Sequence, residues 1–421
     1  MTATVRAETA EQTDGSRFVA ARAAQWLAAS ATAAAPSATA ASATAPIAAA
    51  ASATATDLRG DTLDHATPAH IVTATVAALT RGETHYTPRP GILPLRRALA
   101  ATIAAEGGPE YDPATEVLVA SGAREGGFVA TQMLVRPGDE VLLPDPCAPH
   151  YAEAVRLAGG VAVSVPLRAA DRWGMTAAAI ASCITPRTRV LLLTAPGSPT
   201  GGVTSRAEWE KIAALAEAHD LRVLVDESYK AFHFDGAVHT PVATLLGMRI
   251  RTITVGSFSR TYAMAGWRVG YVVGDAALLH AITDFKLALS ICSAAPSQWA
   301  AVAALDGPQE EVETMHAEIA ARRAALLPAL ATMGLPHGDP QGAYYALADI
   351  RGTGLSAAAC AAVFAVAAGV LALPGDLFGP SGAGHVRFAM TQPAPVLAEA
   401  MARLAPVVAG LRARQTKGVS A

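Results

Sequence analysis

The chain has 421 residues, 52% hydrophobic but only 5% aromatic, with a formal net charge of −3 and four cysteines. That length can bury a large core and predicts two domains; the near-balanced charge gives no reason to expect nucleic acid or a membrane as partner. Cys147, Cys183, Cys292 and Cys360 show no CxxC spacing and no clustered histidines, so no metal site or disulfide framework is expected, and a cytoplasmic location fits.

Residues 1–56 are rich in Ala, Ser and Thr, with no charged residue between Arg22 and Asp57. Pro36, Pro46 and the scarcity of large apolar side chains exclude a membrane span there. Glu8 and Glu11 sit where a signal peptide needs positive charge. A helix is expected from Arg17 to Ala29 within an otherwise disordered extension. From Asp57 the composition turns globular. Thr67-Pro68 reads as a cap and first turn of a helix running to Leu79. Tyr86-Thr87-Pro88-Arg89-Pro90-Gly91 reads as a turn before another helix.

A strand from Glu116 to Ala120 then leads through the glycine turn Ser121–Gly127 into a helix ending at Leu134. Such a turn presents unpaired N–H groups and a positive dipole end, a ready phosphate site. Short apolar strands follow at Glu140–Leu143, before Pro144-Asp145-Pro146-Cys147-Ala148-Pro149-His150-Tyr151, and at Val190–Leu193, before Thr194-Ala195-Pro196-Gly197-Ser198-Pro199-Thr200-Gly201. Ser205 caps an amphipathic helix over Glu208–His219. The strand starting at Arg222 ends in Asp226-Glu227-Ser228-Tyr229, and a carboxylate at the C-terminal end of a buried strand is a favoured site position. The strand Thr252–Val255 runs into Ser257-Phe258-Ser259-Arg260-Thr261-Tyr262-Ala263-Met264-Ala265-Gly266-Trp267-Arg268, and a second strand covers Val269–Val273. Hydroxyls and guanidinium groups at a strand end suit an anion such as phosphate. Further strands are expected at Gln341–Tyr345, Val370–Gly375 and Gly384–Ala389.

These motifs, in this order over about residues 57–410, resemble the class I/II aminotransferases, the fold type I pyridoxal-phosphate enzymes. The resemblance implies an α/β fold: a large domain (79–304) built on a mostly parallel seven-stranded sheet, and a smaller α/β domain drawn from both chain ends (57–78 and 305–412), followed by a tail. It implies a homodimer with sites at the subunit interface, acting on a small amino or keto acid. Gly122, Ala123, Ser257 and Arg268 would cradle the cofactor phosphate, joined by Tyr86 from the partner subunit, with Arg124 and Ser259 also among the cofactor-binding residues. Asp226 would keep the pyridine nitrogen protonated, and Tyr229 would bind the phenolic oxygen. Gly60 and Arg387 would receive the substrate, the arginine pairing with its α-carboxylate as a planar fork. Leu287–Gln298 resembles a segment that lines the partner's site.

Three positions depart from the family pattern. Ala148 stands where an aromatic ring stacks on the cofactor, and Ser198 where an asparagine binds it. Arg260 stands where the family has the lysine that holds pyridoxal phosphate as an imine. Such a lysine must be neutral to attack, whereas an arginine, with pKa about 13 or more, is neutral in roughly one part in a million at pH 7, a deficit of about 8–9 kcal/mol. Of the four lysines, Lys211, Lys230, Lys286 and Lys417, Lys230 is the best alternative for an imine, and His150 is the candidate base. Three readings stay open: an aminotransferase-like enzyme holding pyridoxal or pyridoxamine phosphate non-covalently, a repurposed pocket with cofactor-independent chemistry, and a catalytically silent subunit paired with an active homologue.

Overall fold

The computed structural model describes residues 55–418, so the helix expected at 17–29, and all but the end of the expected disordered extension, lie outside the described residues. After a short β1 (Thr56–Asp57), the apolar runs become β2 (Val117–Ala120), β3 (Glu140–Asp145), β4 (Val161–Pro166), β5 (Thr188–Thr194), β6 (Arg222–Asp226), β7 (Thr252–Ser257) and β8 (Gly270–Val273). Strands β2 to β8 form one seven-stranded sheet in the order β2-β8-β7-β6-β5-β3-β4. Every pairing is parallel except those of β8 with β2 and β7. The sheet is thus α/β and mostly parallel, as expected.

Side-chain alternation explains why these runs are apolar throughout. Val190 and Leu192 of β5 enter one core cluster and Leu191 and Leu193 another, as a strand covered on both faces requires. The helices Ala123–Leu134 and Ala276–Ser290 cover the first face through Val129, Ala130, Leu279 and Ile282. The helix Arg206–Ala218 covers the second through Trp209 and Ile212, and Ser205 caps it by accepting the Glu208 N–H at 3.3 Å. Because β2, β3, β5, β6 and β7 run the same way, Ala120, Asp145, Thr194, Asp226 and Ser257 all arrive at one edge of the sheet, the edge where open α/β sheets place ligands.

The C-terminal third adds β9 (Tyr345–Asp349), β10 (Val370–Leu371), β11 (Leu373–Pro374) and β12 (His385–Ala389). Strands β11, β12 and β9 make a three-stranded antiparallel sheet that sets Arg387 opposite Leu347. β1 pairs with β10, and Leu58 and Leu63 join the cluster of Ile319, Phe364 and Phe388, so residues 56–63 pack with residues that follow them by some 250 or more in sequence. Among the described residues one helix, Ala394–Thr416, is long and apolar enough to cross a membrane; its Leu397, Met401 and Leu404 are buried in this same cluster.

Three local expectations are corrected. The strand expected from Gln341 begins only at Tyr345, because Ala343 takes a left-handed φ of 52° and Gly342 makes an isolated bridge to His233. The run Val370–Gly375 divides into β10 and β11, which pair with different strands. Thr67 caps no helix: Pro68 holds the capping position of Ala69–Thr80 without a side-chain bond. The Thr67 hydroxyl reaches the central stretch instead, donating to the Ala263 carbonyl at 2.8 Å and accepting from Trp267 Nε1 at 2.9 Å.

Candidate active site

A cleft of about 580 Å³ opens at that sheet edge. Its first wall is the turn after β2. Gly122, at φ 87°, precedes the helix Ala123–Leu134, and a Cβ there would fall 2.5 Å from Arg268 Nη2. Arg268 is held above the turn by donating to the carbonyls of Ala265 (2.9 Å) and Ser121 (3.2 Å). Ser257 caps the short helix Phe258–Thr261 by accepting the Ser259 N–H at 3.0 Å. Ala123, Arg124, Ser257, Ser259 and Arg268 all border the cleft. Behind the turn, Glu125 accepts the Ser121 N–H (2.5 Å) and the Ser290 hydroxyl (2.6 Å), with buried Lys286 Nζ 3.6 Å away. Helix dipole, guanidinium and hydroxyls converge here on a place for an anion.

The floor carries Asp226. Its carboxylate accepts the Tyr151 hydroxyl at 2.6 Å and the Ser228 N–H at 2.8 Å. Tyr229 shares a hydrogen bond of 2.7 Å with the hydroxyl of Tyr345. Ala148, Ser198 and His150 complete this region, the histidine ring lying 4.1 Å from the Tyr151 ring. Burial, reinforced by the charge of Arg124 and only partly offset by Asp226 and Asp61, pushes the His150 imidazole down to about 4, so it is neutral at pH 7.

The far wall holds the two remaining arginines. Arg387 is 5% exposed and donates through Nη2 to the Arg59 carbonyl. Its guanidinium lies 4.6 Å from the Tyr345 ring and 4.9 Å from the Phe378 ring, and its Nε is buried without a partner. Arg260 donates to the Asp61 carbonyl and, at 2.6 Å, to the Asp61 carboxylate. Burial acts against its charge, but the phenols of Tyr229, Tyr344 and Tyr345 and the Asp61 carboxylate outweigh it and hold Arg260 protonated above the ordinary arginine range.

Lys230 does not reach this cleft. It leaves the opposite side of the chain, pairs with Glu106 and lies 5.9 Å from the Tyr271 ring, bordering a separate cavity of about 330 Å³. Burial lowers its affinity for a proton, but Tyr271, Glu106 and Glu227 overcome this and keep it charged beyond the usual lysine range. The turn after β6 leaves Ser228 and Tyr229 at the cleft and carries Lys230 to Glu106 and the separate cavity, which removes Lys230 as an imine candidate. Lys211 pairs with Glu208 on an outer helix and Lys286 is buried behind the turn; among the described residues no lysine lines the cleft. Gly60 does not line it, although the following Asp61 and Thr62 do, and Tyr86 is 81% exposed and outside the cleft of its own chain.

Asp61, Tyr345 and Phe378 belong to the site and sequence reading missed them. Asp61 follows the noted Gly60, so proximity was a signal; Phe378 ends a single-turn 3₁₀ helix, Gly375–Phe378, too short to leave a periodic pattern in the sequence.

Solved aminotransferases share this fold. Aromatic aminotransferase from Pyrococcus horikoshii superimposes with a TM-score of 0.83 at 36% identity, covering 85% of this chain and 97% of that one. N-succinyldiaminopimelate aminotransferase from Mycobacterium tuberculosis gives 0.82 at 36%, covering 87% and 96%. The fold is therefore that of the fold type I aminotransferases, and the chain belongs to the aminotransferase class I and II family, which it matches over residues 21–404. Among curated relatives, arginine–pyruvate transaminase AruH of Pseudomonas aeruginosa is 39% identical over 83% of this chain and 88% of its own length. Aromatic-amino-acid aminotransferase 2 of Thermococcus litoralis is 36% identical over 82% and 89%.

The family implies pyridoxal phosphate, and the residues present fit it in part. The absent side chain at Gly122 lets the Arg268 guanidinium lie against the turn, setting a cation beside the helix N-terminus where a phosphate would be held. Asp226 offers a carboxylate to a protonated ring nitrogen, and the unpartnered Nε of Arg387 awaits an acceptor. Among the described residues that line the cleft there is no lysine amine.

Proposed function

We propose that this chain is an aminotransferase-type enzyme that holds pyridoxal or pyridoxamine phosphate without a covalent lysine link and acts on a small amino or keto acid. The single observation that carries the reading is the combination in one cleft of an anion cup, Asp226 and Arg387 with no lysine, Arg260 being engaged by Asp61. Bound there, the cofactor would supply an electron-accepting ring and a temporary carrier for the amino group passed from an amino acid to a keto acid. Gly122, Ala123, Ser257 and Arg268 would hold its phosphate by N–H, hydroxyl and guanidinium donors. Asp226, oriented by the Tyr151 hydroxyl and the Ser228 N–H, would pair with the ring nitrogen. Arg387 pairs with the substrate α-carboxylate, its aromatic neighbours excluding water from the pair. His150 is neutral at pH 7 and takes up a proton, although burial makes it a weaker base than a free imidazole. Arg260 moves no proton; its charge serves binding.

The test is a titration of purified protein with pyridoxal phosphate, followed by borohydride and intact mass. Saturable binding with no mass gain, weakened at least tenfold in Asp226→Ala, supports the reading. A mass gain on any lysine overturns the non-covalent part. Absence of binding overturns the whole and leaves the cleft to another ligand.

A further inference from the structure

The stretch from Ser257 to Tyr262 has two sides, and only one of them faces the cleft. Ser259 and Arg260 border the cleft, whereas Phe258, Thr261 and Tyr262 border the separate cavity of about 330 Å³ beside Lys230. The helix Leu93–Ala105 contributes Leu99, Thr102 and Ile103 to the same cavity. Of the residues assigned to the anion cup, the cofactor ring and the acid, Ser257 alone reaches it. A volume of that order lies within the range of small-molecule sites.

The walls combine an apolar lining with polar groups that lack a partner. Leu99, Ile103 and Phe258 are buried, and Leu305 joins them at the cavity. The rings of Phe258 and Tyr262, with centroids 5.7 Å apart, add aromatic faces. Thr102, Thr261 and Tyr262 carry hydroxyls that hydrogen-bond to none of the described residues, and none of these oxygens is sealed from solvent. Each hydroxyl can donate and accept. Water against such a lining is poorly held, and a molecule that displaces it while keeping the hydroxyl bonds gains affinity.

The charges, by contrast, are already matched. Lys230 pairs with Glu106. Burial works against the lysine's charge, but Tyr271, Glu106 and Glu227 together sustain it. Glu227 in turn meets His239 Nε2 at 3.3 Å. An entering carboxylate must take Lys230 from Glu106, with Glu227 still nearby; an entering ammonium must take Glu106 from Lys230. Either exchange leaves one member of the pair uncompensated, which is costly where water is scarce. An uncharged molecule leaves the pair intact.

We propose that this cavity is a second ligand site, back to back with the cleft, for a small uncharged molecule with an apolar ring and one hydroxyl or carbonyl head. The ring packs on Leu99, Ile103, Phe258 and Leu305, and the head bonds to the hydroxyls of Thr102, Thr261 or Tyr262. The site rests on its own geometry and needs neither cofactor nor substrate in the cleft.

Calorimetric titration of the full chain at pH 7 with 2-phenylethanol, phenylacetate and phenethylamine tests it, since these share a ring and differ in the charge of the head. The cleft offers Arg387 to phenylacetate, so only binding that is lost in Thr102→Phe, which fills the cavity, is counted. The alcohol should bind saturably with a dissociation constant below about 1 mM, the scale open to a ligand of about nine non-hydrogen atoms, and at least tenfold more weakly in Thr102→Phe. Leu305→Trp fills the cavity from another wall and serves if Thr102→Phe melts early. Both charged analogues should bind the cavity at least fivefold more weakly than the alcohol. No saturable binding of the alcohol, equal binding in wild type and filled variant, or tighter cavity binding of either charged analogue would overturn the proposal. Parallel titration with pyridoxal phosphate separates the two readings: failure to bind cofactor with alcohol binding intact sinks only the functional reading, and bound cofactor without alcohol binding sinks only this one.

Discussion

Replacing Arg260 by lysine is the most informative perturbation of this cleft. At pH 7 an ordinary lysine is unprotonated in about one part in 2,500 and an arginine in about one part in a million. Supplying an amine at this position therefore removes roughly 3–5 kcal/mol from the cost of a neutral nitrogen, before any tuning by surroundings. The structure adds to this difference, since the three phenols and Asp61 stabilise the charged arginine further, and a lysine, lacking the planar fork, cannot engage the Asp61 carbonyl and carboxylate in the same way. Arg260→Lys mixed with pyridoxal phosphate should develop a visible absorbance band that borohydride bleaches, with a mass gain of one reduced cofactor per chain; the wild type should show neither. If the variant folds, binds cofactor and still gains no mass, residue 260 does not stand where the reactive carbon sits, and its equation with the family lysine is wrong.

Three further outcomes follow from the same geometry. The folded-state value of His150, about 4, lies below the ordinary 6.5, so the unfolded chain takes the proton first and stability is lost as pH falls from about 6.5 to about 4, by at most about 3 kcal/mol; His150→Gln should flatten that part of the acid limb in urea denaturation, and an unchanged limb would refute it. Lys286→Met leaves the Glu125 carboxylate buried without its cation, which should cost about 3 kcal/mol in the same assay, and a neutral or stabilising result would show that the pair is not needed. Gly122→Ala forces a side chain into a left-handed backbone against Arg268, so affinity for pyridoxal phosphate should fall at least tenfold by fluorescence titration while secondary structure is retained.

Much of the frame was legible because buried parallel strands must be apolar throughout and must end in punctuation. Val190–Leu193 and Thr252–Val255 show this, each lying within a longer strand. The chemistry at strand ends was legible too, since Asp226, Ser257 and Gly122 sit where the chain leaves the sheet. Contacts between distant segments were not. Nothing around Gly60 announces that Asp61 meets Arg260 across 199 positions, and nothing in β9 says that Tyr345 faces Tyr229. Lys230 failed for a simpler reason: adjacency in sequence is separation in space when neighbouring side chains point to opposite sides, and a carboxylate on the far side, Glu106, captured it.

The facing phenols of Tyr229 and Tyr345 carry one more implication. Two hydroxyls at 2.7 Å share one hydrogen between them, since only one can be donor to the other. The remaining hydrogen must point elsewhere. Tyr345 is fully buried, while Tyr229 is only half-buried at the cleft, so a ligand oxygen meeting Tyr229 sets the polarity of the pair: accepting from Tyr229 turns Tyr345 into its donor, and donating to it reverses the order. The couple is a two-position hydrogen-bond relay whose orientation is written by the acidity of whatever lies in the cleft.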